Sequence, residues 1–360
     1  MASPANHPIP SAVRPPFSRD RQQRSTTGIH YLVTGGAGFI GSHLVEALVT
    51  AGHNVVVLDD LSTGKVRNLA LVRDRIRFIR GSVTDPAACR RAMERVDYVL
   101  HQAALTSVPR SVNEPVAAHE INTAGTLALL LEAQRAGVRR FVYASSTAAY
   151  GDANELPNHE HTLPRPLSPY AATKLAGEEY CKAFSATYGV ETVILRYFNV
   201  FGPRQDPASP YAAVIPRFIR AALCGEPPVI YGDGAQTRDF VYVANVVHAN
   251  LVACPARAED VVGQVFNVGS GTAVSVNALW ERIQAIVGTR LAPTFAPAPV
   301  GEVRHSQASL ERVRRALNYA PVAGLDEGLR LTVAYHRGLR ARRRSHPIGR
   351  PRGVSGAQSH

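Results

Sequence analysis

The sequence predicts an α/β fold, a doubly wound parallel sheet with a smaller C-terminal α/β lobe. Three observations predict it. Short apolar runs alternate with stretches of helical spacing from residue 29 to residue 200. The first run enters a glycine turn that opens directly into a helix. Groups of Ser, Tyr, Lys and Arg follow the ends of the runs, where the strands of such a sheet meet their ligands.

The first strand is "IHYLVT", residues 29–34, followed by "GGAGFIG" and the helical "SHLVEALVTAG". Gly35, Gly38 and Gly41 lack the Cβ atoms that would keep backbone from bending, approaching a pyrophosphate and packing helix on sheet. The helix start then turns its N–H groups toward phosphate. A second strand, "NVVVLDD", carries Asp59 about twenty residues after the turn. A carboxylate there accepts both hydroxyls of an adenosine ribose and repels a 2′-phosphate, which favours NAD over NADP. Lys65 in the next loop argues the other way. The alternation continues with "IRFIRG" (76–81), a helix near 86–95, "DYVLHQAA" (97–104), and a helix near 115–136. "RRFVYASS" (139–146), a helix from about 170 to 188, and "ETVILRYFNV" (191–200) complete it.

Only three of the 40 basic residues are lysines: Lys65, Lys174 and Lys182. Lys174 stands in "SPYAATK", four residues after Tyr170, so the two side chains rise on one helical face. A free phenol has a pKa of about 10, and a nearby cation is expected to lower it toward a useful base. An ammonium also offers rotatable donors to ribose hydroxyls, which a planar guanidinium does not. Pro169 suits the first turn and fixes where the helix begins.

The net charge of +12 is concentrated at the ends. Residues 1–28 carry four arginines against one acid, and residues 337–360 carry seven arginines and no acid. These segments read as a disordered N-terminal tail and a basic disordered C-terminal tail, with a nearly neutral body between them. No specific nucleic-acid partner is expected. No run approaches the ~20 apolar residues of a membrane helix, so no membrane insertion is expected either. The Pro-rich start lacks the apolar stretch of a signal peptide, and Cys89, Cys181, Cys224 and Cys254 form no CxxC pair. We expect a cytoplasmic protein with reduced thiols and no metal site.

"TGGAGFIGSHLVEAL", "LDDLSTGKVRNL", "SSTAAYG", "SPYAATK" and "LRYFNVFGPRQDP" resemble the extended short-chain dehydrogenase/reductase family, most of all its nucleotide-sugar 4-epimerases. The likeness runs from about residue 29 to 336. It implies a Rossmann-like NAD-binding domain over 29–199, with segments near 238–270 returning to it, and a substrate-binding lobe mainly over 200–336. It also implies Tyr170 as base, Lys174 as its cationic partner, and Ser146 as the hydroxyl beside the sugar, with Thr147 a second candidate. For NAD it points to Gly35, Gly38, Phe39, Ile40, Gly41, Asp59, Ser62, Gly64, Ser82, Val83, Gln102, Ala103, Ala104, Asn122, Tyr170, Lys174 and Tyr197. For a UDP-sugar it points to Ser107, Ser146, Thr147, Asn199, Ala213, Val214, Tyr231, Arg238, Arg304 and Ser306. A homodimer through the helices near 115–136 and 170–188 is implied as well.

Related 4,6-dehydratases place Asp-Glu just after the catalytic hydroxyl, and UDP-glucuronate decarboxylases a Glu nearby. Here Thr147, Ala148 and Ala149 follow Ser146, so elimination and decarboxylation lack their expected catalyst. The small Ser306 leaves room for a 2-acetamido group and favours UDP-N-acetylglucosamine over a strictly non-acetylated sugar. A non-catalytic dinucleotide-binding protein is the alternative from another class. Two departures stand out: Pro299 replaces a phosphate-binding arginine, for which Arg304 would have to compensate, and Ser82 replaces an adenine-contacting Asp.

Overall fold

The computed structural model describes residues 28–152, 155–207, 213–298 and 303–345. The expected N-terminal tail up to residue 27, residues 346–360 and Pro299 lie outside the described residues. The expected alternation forms. Strand β1 (His30–Thr34) leads to helix α1 (Phe39–Thr50), then β2 (Asn54–Asp59), β3 (Ile76–Arg80), α2 (Pro86–Ala92) and β4 (Tyr98–His101).

After β4 come α3 (Val108–Asn113), α4 (Pro115–His119), a π turn over Glu120–Ala124, and α5 (Gly125–Ala136). The helix expected over 115–136 forms, with the π turn inside it, and α3 was not foreseen. Then follow β5 (Arg140–Ser146), α6 (Pro169–Tyr188) and β6 (Thr192–Tyr197).

"ETVILRYFNV" is two strands rather than one. The Phe198 N–H donates to Val268 O, and Asn199–Phe201 continues as β7 in a different sheet. Helix α7 (Val214–Cys224), β8 (Val229–Tyr231), β9 (Thr237–Tyr242), α8 (Val243–Ala253) and α9 (Ala258–Val261) follow. Strand β10 (Gln264–Val268) then joins β6 at the sheet's edge. The return to the first domain is therefore made by α8 and β10, whereas residues 238–242 belong to β9 in the other lobe. The chain ends with β11 (Ala273–Ser275), α10 (Val276–Val287), β12 (Thr294–Ala296), α11 (Glu311–Leu317) and α12 (Leu325–Ser345).

The central sheet has seven parallel strands in the order β10-β6-β5-β4-β1-β2-β3. Strand order reverses at β1, where β2 lies on one side and β4 on the other, and such a switch point opens a ligand crevice. Alternation along each strand feeds two cores. Val33, Val57 and Leu100 pack with Leu44 and Leu48 of α1 and Val246 of α8. Their neighbours Leu32, Leu58 and Val99 pack on the opposite face with Cys89, Leu129 and Cys181.

The second lobe has its own core of Phe218, Ile219, Phe240, Leu279, Trp280 and Leu329. It holds two small sheets, β11-β9-β7 and β12-β8. The lobes are fastened at α1, where His43 Nε2 meets Pro203 O at 3.0 Å and Arg204 pairs with Glu46.

Residues 337–345, expected in a disordered tail, complete α12. Arg337 Nη2 donates to Val287 O at 2.9 Å at the end of α10, where carbonyls lack helical partners. The approach to α12 depends on Asn245 of α8. Its Oδ1 accepts the N–H groups of Val322 and Ala323, and its Nδ2 donates to Ala323 O. Asn245→Ala would strand these main-chain groups, and the expected cost is about 2–4 kcal/mol. Thermal unfolding should show Tm falling by roughly 5–10 °C; an unchanged Tm would rule out this anchoring role.

Candidate active site

The turn from β1 to α1 works only with glycine. Gly35 has φ +65°, and a Cβ there would sit 2.8 Å from the Ala103 nitrogen; at Gly41 it would sit 2.2 Å from Gly35 O. The ends of β1 and β4 therefore meet backbone to backbone, bringing Gln102 and Ala103 to the turn. Gly38 caps α1 without a side chain, leaving the first-turn N–H groups of Phe39 and Ile40 no side-chain acceptor. Asp59 is buried at the end of β2 and accepts from Ala37 N at 2.9 Å and Leu61 N at 2.8 Å. Burial pushes its carboxyl pKa up, and these two N–H groups oppose the shift. A Cβ on Gly64 would lie 2.7 Å from Asp59 Oδ1, so glycine keeps the space beside the carboxylate open. Lys65 pairs with Asp206.

The catalytic candidates converge where β5 ends and α6 begins. Ser168 caps α6 by accepting from Ala171 N at 3.2 Å, Pro169 opens the first turn, and Tyr170 N donates to Ser111 Oγ at 3.0 Å. The buried Tyr170 hydroxyl lies near the Ser146 hydroxyl. Ser146 ends β5 and accepts from Ala148 N at 3.1 Å, which caps a 3-10 turn over Thr147–Tyr150. Lys174 Nζ donates to Ala144 O at 2.7 Å and lies 5.1 Å from the centre of the Tyr143 ring.

The electrostatics correct the expectation from the sequence. Burial pushes the Tyr170 pKa up, and the Ser146 hydroxyl opposes the shift. Lys174 faces the Ala144 carbonyl, and its own pKa is pushed down to about 8 by burial. Burial weighs on both groups, with the Ser146 hydroxyl near the phenol and the Ala144 carbonyl bonded to the ammonium.

Other expected residues have structural employment. Asn122 is saturated: Oδ1 accepts from Leu105 N, and Nδ2 donates to Leu105 O and Thr173 Oγ1. The Ser62 hydroxyl donates to Asp60, that of Ser82 meets Thr84, and that of Ser107 caps α3. Gln102 is held between Tyr197 Oη at 3.2 Å and Asn250 Oδ1 at 3.3 Å. Val83 is buried against the start of α5 at Gly125, and Ala104 is half-buried beyond β4.

A cavity of about 350 Å³ lies in the second lobe and gathers Asn199, Ala213, Val214, Tyr231 and Arg238. Its wall also holds Phe201, Gln205, Arg217, Phe218 and Gln236, which sequence reasoning missed. Gln236 stands two residues before Arg238, and same-side spacing in extended chain could have found it. The Arg217 guanidinium lies 5.4 Å from the centre of the Tyr231 ring. Three buried amide oxygens on this wall, Asn199 Oδ1, Gln205 Oε1 and Gln236 Oε1, have no hydrogen-bond partner. The lining residues thus combine two arginines with amides whose buried oxygens are unpaired.

Arg304 and Ser306 do not line this cavity. Arg304 Nη2 donates to Asp233 Oδ2 at 2.8 Å on the surface, while its carbonyl accepts from Thr237 N and Arg238 Nη1. The expected compensation for Pro299 by the Arg304 guanidinium is not what this geometry shows. Ser306 is buried, donates its N–H to Thr237 O, and leaves Oγ without a partner.

The NAD dependent epimerase/dehydratase family model matches residues 31–269. The chain belongs to this family. A UDP-glucose 4-epimerase of Mycolicibacterium smegmatis is 40% identical over 85% of this chain and 98% of that protein. A UDP-N-acetylglucosamine 4-epimerase of Methanobrevibacter ruminantium, solved with UDP-N-acetylmuramic acid, superposes with a TM-score of 0.83. It is 38% identical, covering 87% of this chain and all of that one. A UDP-N-acetyl-alpha-D-glucosaminuronate decarboxylase of Bacillus cytotoxicus is 32% identical over 85% of this chain and 97% of that protein. The family thus spans several reactions on UDP-sugars.

NAD is the cofactor of the epimerase/dehydratase family, and the residues present fit it. The glycine turn leaves backbone open to a pyrophosphate, and Asp59 beside Gly64 offers acceptors for a ribose diol. Lys65, the cation that argued for a 2′-phosphate, is turned to Asp206. Gly41→Ala, whose Cβ collides with Gly35 O, should weaken NAD retention by at least about tenfold, or 1.4 kcal/mol. Nucleotide released from the purified variant measures this; parent-level content would show that the turn is not the pyrophosphate cradle.

Proposed function

We propose that the protein is a UDP-sugar 4-epimerase that interconverts UDP-N-acetylglucosamine and UDP-N-acetylgalactosamine, and that it also accepts UDP-glucose and UDP-galactose. The observation that carries this reading is the approach of Tyr170 to the Ser146 hydroxyl, with Thr147, Ala148 and Ala149 following Ser146 directly and none of them carrying an acid. Glu178, a nearby carboxylate, is saturated by Arg196 and Ser145. Elimination and decarboxylation need a further acid or base, whereas epimerisation needs none.

The chain's own groups divide the work. The nucleoside enters the cavity of the second lobe, where the orphan oxygens of Asn199, Gln205 and Gln236 meet its hydroxyl and N–H donors, and Arg238 holds the diphosphate. The sugar then reaches back to the end of β5. Ser146 Oγ and Tyr170 Oη bind O4, and Tyr170 Oη takes its proton. The glycine turn, Asp59 and Lys174 would hold NAD, which would supply the hydride acceptor and donor for C4. The 4-keto sugar turns about its diphosphate linkage and presents its other face to the same side chains. Tyr170 returns the proton, and the C4 configuration is inverted. Ser306, small and buried beside the Arg238 strand with a free hydroxyl oxygen, supports room for the 2-acetamido group.

Exposed apolar side chains on α3 to α6, among them Val112, Val116, Leu131 and Tyr180, support a homodimer through these helices. None of the four cysteines is disulfide-bonded, which suits the reducing cytoplasm. No helix among the described residues is long and apolar enough to cross a membrane.

Incubation with UDP-N-acetylglucosamine and no added NAD should yield the galacto epimer. A 4-keto-6-deoxy or pentose product would instead point to a dehydratase or decarboxylase, and no turnover to a binding protein. Tyr170→Phe should retain bound NAD and lose epimerase activity by about 10²–10⁴-fold; unchanged turnover would remove Tyr170 as the base.

A further inference from the structure

A buried ion pair lies directly behind the candidate catalytic residues and has no place in the mechanism above. Arg196, next to the last residue of the apolar strand β6, donates from Nε to Glu178 Oε1 at 2.8 Å and from Nη2 to Glu178 Oε2 at 2.6 Å. Glu178 is fully buried and Arg196 nearly so. The Ser145 hydroxyl donates to the same Glu178 oxygen at 2.5 Å. Arg196 Cζ lies 4.5 Å from the centre of the Tyr150 ring, and the Tyr150 hydroxyl donates to Asn267 Oδ1 at 2.6 Å.

Buried pairs of this kind are poor sources of stability, because desolvation consumes most of the attraction. Their position is therefore the informative feature. Glu178 stands one helical turn after Lys174 on the same face of α6. Ser145 precedes Ser146, and Tyr150 closes the turn that Ser146 caps. The pair thus touches both sides of the β5–α6 junction.

We propose that the Glu178–Arg196 ion pair is the positioning element of this active site. It fixes Ser146 through Ser145 and Tyr150, and Glu178 supplies the countercharge that keeps the Lys174 ammonium in a buried site. Neither side chain touches the reacting atoms. The groups around Lys174 agree with this assignment. On its own helix stand Tyr170, Glu178 and Cys181; β5 contributes the Tyr143 ring and the Ala144 carbonyl; β4 contributes His101, whose pKa is pushed down to about 3 by burial and so stays neutral. Glu178 is the nearby group that opposes the loss of the Lys174 proton most strongly, followed by Cys181, whose own pKa is pushed up by burial. Arg196 acts only through Glu178.

The role in catalysis rests on the epimerase reading, but the charge state of Lys174 can be measured without a substrate. With only three lysines in the chain, ¹³Cε-lysine NMR of the holoenzyme is sparse, and Lys174→Arg identifies the Lys174 signal by its disappearance. In Glu178→Gln the Lys174 midpoint should fall by about one pH unit or more. The alkaline limb of kcat should move down with it, with KM for the UDP-sugar nearly unchanged. Glu178→Leu/Arg196→Met, an apolar replacement of the whole pair, should fold with a Tm near the parent's yet keep the lowered midpoint and at least a tenfold lower kcat at pH 8.

A parent-like midpoint in both variants would overturn the proposal, as would full kcat in the apolar double variant. If the parent does not epimerise any UDP-sugar, the catalytic reading fails, and the NMR midpoints still decide whether Glu178 supports the ammonium.

Discussion

The start of helix α6 packs against the end of strand β5, and this closure brings Tyr170 to the Ser146 hydroxyl. The rest of the site depends on this closure. Ser168 and Pro169 fix the first turn of the helix, so Tyr170 and Lys174 leave it on one face at a set distance from the sheet. The seven parallel strands make the other half of the constraint. They deliver the glycine turn of β1, Asp59 of β2 and Ser146 of β5 to the same edge of the sheet. The second lobe adds a cavity with arginines and unpaired amide oxygens, so that a two-ended ligand can lie between them.

Burial sets the electrostatics of the junction. It disfavours charge on both partners, pushing the Tyr170 phenol up and the Lys174 ammonium down to about 8. Each group has its own fixed neighbours: the Ser146 hydroxyl for Tyr170, and for Lys174 the Ala144 carbonyl and, one turn along α6, the carboxylate of Glu178. A buried carboxylate and guanidinium are costly to keep in a fold, and this pair sits where the end of β5 and the helix α6 must hold register.

The sequence made legible whatever depends on local spacing. Strand and helix alternation, the glycine turn with Asp59, and the Tyr170–Lys174 pair all follow from periodicity and short motifs, and the structure contains them. Features set by distant partners were not legible. The acceptor of Lys174 lies 30 residues away on another strand, and Asn122, which resemblance placed beside the cofactor, is consumed by Leu105 and Thr173. Arg304 turns to Asp233, a partner 71 residues earlier. The arginine-rich stretch after residue 336 suggested solvated chain, but Arg337 finds the carbonyls ending α10 and the helix continues to Ser345. Arg196 and Glu178 were overlooked because a charge inside an apolar strand declares its role only once its partner is seen.

The central claim is that C4 of the sugar is oxidised and reduced again inside one closed site, with Tyr170 handling only the oxygen-bound proton. The most direct measurement uses a UDP-hexose carrying deuterium at C4, incubated with the enzyme in ordinary water. The account predicts that the epimer formed keeps its deuterium at C4. Loss of the label to solvent would mean that the carbon-bound hydrogen leaves as a proton, and that result would contradict it.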